Sequence, residues 1–162
     1  MTPLERIQNK IITNKESLKS WLAIQHFKES KIVFTNGCFD ILHRGHVELL
    51  AGAANYGDIL IVGLNTDNSV KRLKGESRPL QDEKSRALMM ASLQFVDVVV
   101  FFNEDTPAQL IDAIVPDVLI KGGDYKKEEI VGYDTVTNSG GEVVILEFLP
   151  GYSTTSVINR MG

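Results

Sequence analysis

The 162-residue chain has a single cysteine, Cys38. One thiol excludes an internal disulfide framework, fits a reducing compartment, and leaves a Cys/His zinc set without enough ligands. No apolar run approaches the length of about 20 residues that a bilayer-spanning helix needs. The N-terminus, Met1-Thr2-Pro3-Leu4-Glu5-Arg6, lacks the basic start and apolar core of a signal peptide, so a soluble, cytoplasmic protein is expected. Positive charge is not in excess either. The 17 Lys and Arg against 21 Asp and Glu give a net charge of −4, which argues against bulk binding to nucleic acid or an acidic membrane. Neither the phosphate loop Gly-x4-Gly-Lys-Ser/Thr nor the dinucleotide fingerprint Gly-x-Gly-x-x-Gly occurs, which removes two common nucleotide-binding classes. Repeats, low-complexity tracts and Pro/Ser-rich linkers are absent. Histidine is scarce, with three in the chain, and two of these fall within four residues of each other, at His43 and His46.

The composition that remains, 43% hydrophobic and 23% charged, is that of an ordinary globular protein long enough to bury a core. Leu4, Ile7 and Ile11, then Leu18, Trp21 and Leu22, recur at helical spacing, so residues 3–29 are expected to form two short amphipathic helices. Apolar runs at 31–35, 58–64, 96–102, 117–121 and 142–148 read as five strands, since continuous apolar stretches mark strands buried on both faces. Between them, helices are expected at 45–56, with Gly57 as its stop, at 82–94, and at 106–114, where Pro107 takes the first helical position. A last helix begins at Ser153-Thr154-Thr155. Alternating strands and helices predict an α/β fold, a Rossmann-like, doubly wound, parallel five-stranded sheet with flanking helices. Residues 1–30 form an N-terminal helical extension, and 31–162 the main domain.

Ligands of such sheets bind beyond the carboxyl ends of the strands, and the informative residues lie there. After the first strand come Asn36-Gly37-Cys38-Phe39-Asp40 and His43-Arg44-Gly45-His46. Positions i and i+3 share a helix face, so both imidazoles can donate to one phosphate at a positive helix start, with Gly45 leaving room for it. After the second strand come Asn65 and a basic cluster, Lys71, Arg72, Lys74 and Arg78, able to neutralise charge that builds during phosphoryl or nucleotidyl transfer. Between Lys71 and Lys74 residue type alone does not choose. Lys121-Gly122-Gly123-Asp124 follows the fourth strand; its glycines permit close approach of a base or ribose, and Asp124 can accept from a ribose hydroxyl. Ser153, Thr154 and Thr155 make a hydroxyl-rich helix start, which caps the helix and suits an anion. Cys38 reads as a small residue in a tight turn rather than a nucleophile. His26 and Trp21 read as surface and packing residues.

These segments resemble the cytidylyltransferase-like nucleotidyltransferases, marked by His-x-Gly-His after the first strand and Ser-Thr-Thr near the last helix. Here they are His43-Arg44-Gly45-His46 and Ser153-Thr154-Thr155. Within that superfamily, residues 34–40, 72–79 and 118–125 are similar to the adenylyltransferase domains that make ADP-heptose for lipopolysaccharide. The resemblance covers roughly residues 30–162. It implies transfer of AMP from ATP to D-glycero-β-D-manno-heptose 1-phosphate. His43, His46 and Lys74 or Lys71 would be catalytic; Asn36, Gly37, Cys38, Phe39, Gly45, Lys121, Gly123, Asp124 and Ser153 to Thr155 would bind nucleotide. Asp40, Asn65 and Arg78 would contact the sugar phosphate. Mg²⁺ would be held mainly by the ATP phosphates. A homodimer, and a separate sugar kinase acting upstream, complete the expectation. The alternatives are a CTP-dependent enzyme acting on an alcohol phosphate such as glycerol 3-phosphate, an enzyme joining AMP to a flavin phosphate, and a non-catalytic nucleotide-binding module.

Overall fold

The computed structural model describes residues 1–162. Its centre is one parallel sheet whose strands are β1 (Ile11–Ile12), β2 (Ile32–Gly37), β3 (Ile59–Asn65), β4 (Val98–Phe102), β5 (Val118–Gly122) and β6 (Glu142–Leu146), in the spatial order β1-β4-β3-β2-β5-β6. The expected sheet of five strands therefore has six. The added strand is only two residues long, Ile11 and Ile12, which pair with Val99 and Val100 at the sheet edge. The periodicity of Leu4, Ile7 and Ile11 hides it: Ile11 was counted into a helix, whereas α1 (Pro3–Gln8) stops before it. α2 (Lys15–Phe27) follows.

Strict alternation along each strand builds two cores, as a doubly wound sheet requires. Val33, Leu60, Val62, Leu64, Val99, Val118 and Ile120 face one side. There they meet Leu50 and Ala53 of α3 (Arg44–Ala54), and Ala87, Met90 and Ala91 of α5 (Glu83–Ser92). Ile32, Phe34, Ile61, Val98, Val100, Leu119 and Val143 face the other. They pack on Leu18 and Leu22 of α2, Ile111 and Ile114 of α6 (Ala108–Ile114), and Val136 of α7 (Tyr133–Asn138).

Three expectations of detail change. The stretch after β3 carries a helix that the strand-and-helix reading omits: Thr66 caps α4 (Asp67–Lys74), accepting from the Ser69 amide at 3.3 Å. The third helix ends at Asn55 rather than at Gly57. Gly57 is needed for another reason, because a Cβ there would lie 2.6 Å from the Lys31 carbonyl oxygen. The last strand stops at Leu146, which frees Phe148 for a different role, and α8 (Thr154–Met161) closes the chain.

At the amino ends of the strands one device recurs. Asp58, Asp97 and Asp117 each immediately precede a strand, and each carboxylate accepts the amide N–H of a residue at the start of the neighbouring strand. Asp58 takes Lys31 at 2.8 Å, Asp97 takes Leu60 at 2.8 Å and Asp117 takes Ile32 at 2.7 Å. Each bond satisfies a donor outside the ladder and locks register where pairing begins. Because Ile32 is fully buried, Asp117→Ala strands its N–H and should destabilise the chain by about 1–3 kcal/mol. Asp117→Asn keeps an acceptor and should cost clearly less. Urea unfolding of both variants checks this, and equal losses would contradict it.

Candidate active site

β2 lies between β3 and β5, and the chain winds outward from it in both directions. That reversal of strand order opens a crevice at the carboxyl ends, the usual ligand position in open parallel sheets. A cleft of about 180 Å³ lies there, floored by the β2–α3 loop from Thr35 to Asp40 and walled by His46, Lys74, Lys121 and Thr154.

The loop is held tightly. Phe39 adopts φ +45° and is buried, with its ring edge-on to His46 at 5.1 Å between centroids. A Cβ on Gly37 would touch that phenyl ring at 3.0 Å. Asp40, only 1% exposed, accepts from Arg78 Nε at 2.6 Å and from the amides of Leu80 and Gln81 at 2.8 and 3.0 Å. Burial alone would raise its pKa. The two amides and the guanidinium outweigh that and hold the carboxyl below the ordinary aspartate value. Beneath the loop, the fully buried Arg86 donates to the carbonyls of Cys38, Asn65 and Gln81 at 2.7, 2.8 and 3.0 Å and to Asp67 Oδ1 at 2.7 Å.

His43 and His46 come together as their spacing predicts. His43 caps α3 and His46 sits one turn in; their rings stack 3.7 Å apart at 21°. His43 Nδ1 accepts the His46 amide at 3.4 Å, which places the proton of the neutral ring on Nε2, where it can be donated. Burial lowers the pKa of His43. For His46 burial, then the neighbouring His43 ring, push the value down to about 4, against an opposing contribution from the Ile41 carbonyl. His46 Nδ1 is buried without a hydrogen-bond partner. Both rings are thus neutral near pH 7. Gly45 makes room between them and the C-terminal segment: a Cβ there would lie 3.0 Å from the His43 ring and 3.2 Å from Tyr152 Cβ.

The basic cluster is divided by where the cleft and the partner acids lie. Only Lys74 of the four reaches the cleft. Lys71 is exposed on α4 outside it; Arg72 pairs with Asp105 at 2.9 Å and donates to the Asn103 carbonyl. Arg78 is spent on Asp40. The structure therefore favours Lys74 over Lys71, and it turns Asp40 and Arg78 toward each other rather than toward a substrate. Asn65 is likewise committed, donating to Ser69 Oγ at 3.0 Å and accepting from Cys38 Sγ at 3.7 Å. The Cys38 thiol has its pKa raised, burial outweighing Lys74 and Arg86, which leaves it a poor nucleophile.

On the β5 side, Lys121 lines the cleft, and Gly123 has φ +119°, a backbone state that suits glycine. Asp124 is exposed and lies outside the cleft. Ser153 caps α8 through the Ser156 amide at 3.0 Å; Thr154 reaches the cleft and Thr155 does not. Sequence reasoning passed over Leu49, Tyr125 and Phe148, which also line it. Phe148 lies over Gly122 and Gly123, whose Cβ atoms would meet its ring at 2.8 and 2.9 Å. The quoted segment Lys121 to Tyr125 contained a usable signal, an aromatic two residues after paired glycines; Phe148 gave none while it read as strand.

No group of three or more His, Cys, Asp or Glu side chains converges to hold a metal ion, and Asp40, the carboxylate in the cleft, already accepts from three donors.

Stacked imidazoles at a helix start, a glycine-bearing loop and free lysines, at the reversal point of a parallel sheet, define a nucleotidyltransferase-type site. A sequence model described as cytidylyltransferase-like matches residues 34–160, and the chain belongs to that family. It is 55% identical to the bifunctional protein HldE of Rhodopseudomonas palustris (strain BisB18), across 94% of this chain and 31% of that protein. With HldE of Nitrobacter hamburgensis it shares 53% over 96% of its own length and 32% of the relative. The chain thus spans about a third of these relatives. Among solved structures, the lipopolysaccharide core biosynthesis protein of Thermoplasma volcanium superposes with a TM-score of 0.60 at 28% identity, covering 74% of this chain and 97% of that one. The pantoate-beta-alanine ligase of Francisella tularensis gives 0.63 at 18% identity, over 93% of this chain and 72% of that one, and so shares the fold alone.

The half-buried, neutral His46 ties stability to acidity. Its pKa is about 4 when folded and returns to about 6.5 on unfolding, so below 6.5 the unfolded chain binds the proton first. The stability this ring contributes is complete above about 6.5 and is lost as pH falls toward 4. NMR titration of the imidazole should give a midpoint near 4, and His46→Gln should flatten the stability profile across that window. A midpoint near 6.5 would contradict the burial argument.

Proposed function

We propose that the chain is an adenylyltransferase that joins AMP from ATP to D-glycero-β-D-manno-heptose 1-phosphate, releasing pyrophosphate and giving ADP-heptose. The observation that carries this reading is the stacked His43–His46 pair beside the β2–α3 loop. The heptose assignment is supported by the wording of residues 34–40, 72–79 and 118–125, by the HldE relatives, and by the similarity to a protein titled for lipopolysaccharide core biosynthesis.

The sugar-phosphate oxygen attacks the α-phosphorus of ATP in line. A new P–O bond forms as the bond to the bridging oxygen breaks, and pyrophosphate leaves. The nucleophile is already anionic at pH 7, so no general base is needed and catalysis consists of alignment and charge stabilisation. His43 donates from Nε2 and His46 from its own N–H to phosphate oxygens. Neutral rings are suited to this, since they bind a polyanion without first having to shed an internal counter-ion. Lys74 offsets charge from the β3 side. The amides of Gly37 to Phe39 line the path of the chain of phosphates and Thr154 offers a hydroxyl, while Gly123 already has the Phe148 and Tyr125 rings against it and is not open to the nucleoside. Mg²⁺ enters bound to ATP.

In this reading residues 31–162 are the catalytic module and 1–30 an extension on it. The enzyme works as a homodimer in the cytoplasm, downstream of a sugar kinase activity.

A panel of ATP and CTP against heptose 1-phosphate and glycerol 3-phosphate, scored by pyrophosphate release, tests the assignment. Turnover is expected with ATP and heptose 1-phosphate; preference for CTP with glycerol 3-phosphate would replace it, and no release from any pair would favour a binding module. His46→Ala should fold and lose about 10²–10³-fold in kcat. Near-normal turnover would remove the imidazole pair from the mechanism.

A further inference from the structure

Lys121 is the one long cation on the β5 side of the cleft. It is half-buried at the end of a central strand, it lines the same cleft wall as His46, Lys74 and Thr154, and it has no ion pair and no hydrogen bond within the chain. Its only specific neighbour is the Tyr125 ring, with Nζ 5.5 Å from the centroid. An ammonium withdrawn from water usually recovers the cost from a carboxylate. The carboxylate within the cleft, Asp40, is saturated by Arg78 and two amides. A cation–π contact at that distance recovers only part of that cost, which does not explain why a lysine rather than an apolar residue stands here.

The Cys38 thiol interacts electrostatically with both Lys74 and Lys121. All three residues line one cleft, Lys74 at the end of α4 and Lys121 near the end of β5. The thiol is held protonated by its burial and supplies no counter-charge.

Resting on the adenylyltransferase reading, we propose that Lys121 is a catalytic residue: with Lys74 it brackets the reacting α-phosphate and neutralises the charge that accumulates on its oxygens as the two P–O bonds exchange. It does not serve to recognise the base or ribose, despite its place beside Gly122 and Gly123. The role suits a lysine that waits unpaired. Its electrostatic stabilisation is withheld in the free protein and delivered where negative charge is densest, so it acts on kcat.

Burial also lowers the pKa of this ammonium, partly countered by Cys38. The titratable groups around it are the Cys38 thiol, the Tyr125 phenol, His46, Lys74 and Asp40. Protonated Lys121 is the competent form, so activity should fall as pH rises through a midpoint below the ordinary lysine value.

The test uses the whole chain with ATP and heptose 1-phosphate. Lys121→Gln should keep the wild-type Tm, since no bond within the chain is lost. Its kcat should fall about 10²-fold, with KM for both substrates within about threefold. Lys121→Arg should recover much of kcat and move the alkaline limb of its pH profile upward. If Lys121→Gln keeps kcat within threefold, or raises only the KM for ATP, Lys121 is not catalytic and the inference fails alone. If the wild type releases no pyrophosphate from any pair, the adenylyltransferase reading falls and takes this inference with it.

Discussion

The site depends on one buried guanidinium. Arg86 comes from α5, on the sheet face opposite α2, and its donors are divided among the β2–α3 loop at Cys38, the end of β3 at Asn65, the first residue of α4 at Asp67 and the segment leading into α5 at Gln81. Three of the four acceptors are backbone carbonyls, so the guanidinium fixes main-chain positions rather than side chains. A buried charge with its geometry this fully met is costly to break, because removing one partner leaves the others desolvated and unsatisfied. Through Asp67 it sets where α4 starts, and therefore where Lys74 ends up. Through Cys38 it sets the height of the loop on which substrate phosphates would rest. Asp40, pinned by Arg78 and two amides, closes the same loop from the other end.

Within that frame the electrostatics are divided. The two imidazoles are neutral because they are desolvated and stacked on each other, while Lys74 and Lys121 have no ion pair in the chain. A site with fixed internal ion pairs would have to break them when a polyanion arrives. In the proposed reaction the donors and cations of this cleft would meet a polyanion with no ion pair of their own to break, the preorganised arrangement that lowers reorganisation.

Much of this was readable from residue order, for reasons that also explain the failures. β3 and β5 are buried on both faces, so their apolar runs announce them. His43 and His46 were legible because a three-residue spacing at a helix start has one geometric outcome. β1 was not, since two isoleucines become a strand only when β4 supplies the ladder. Asp40, Asn65 and Arg78 were read as substrate contacts because polar residues after strands usually face ligand. Asp40 and Arg78 are distant in sequence, and their mutual pairing is a tertiary fact. Arg86 left no trace in any pattern because its acceptors are mostly carbonyls, which every residue carries. Lys71 and Lys74, three apart on one helix face, were separable only once the cleft was placed: Lys74, the last residue of α4, reaches it and Lys71 does not.

The aspartates at the foot of the sheet have a wider consequence. Strand alignment is fixed at the amino rim, where Asp58, Asp97 and Asp117 each clasp the neighbouring strand, while every residue of the cleft lies at the opposite rim. Alignment and chemistry are thereby uncoupled within a single layer of strands. Loops above the cleft are free to be rewritten for a new acceptor without any strand slipping, and a ligase only 18% identical can keep the same scaffold.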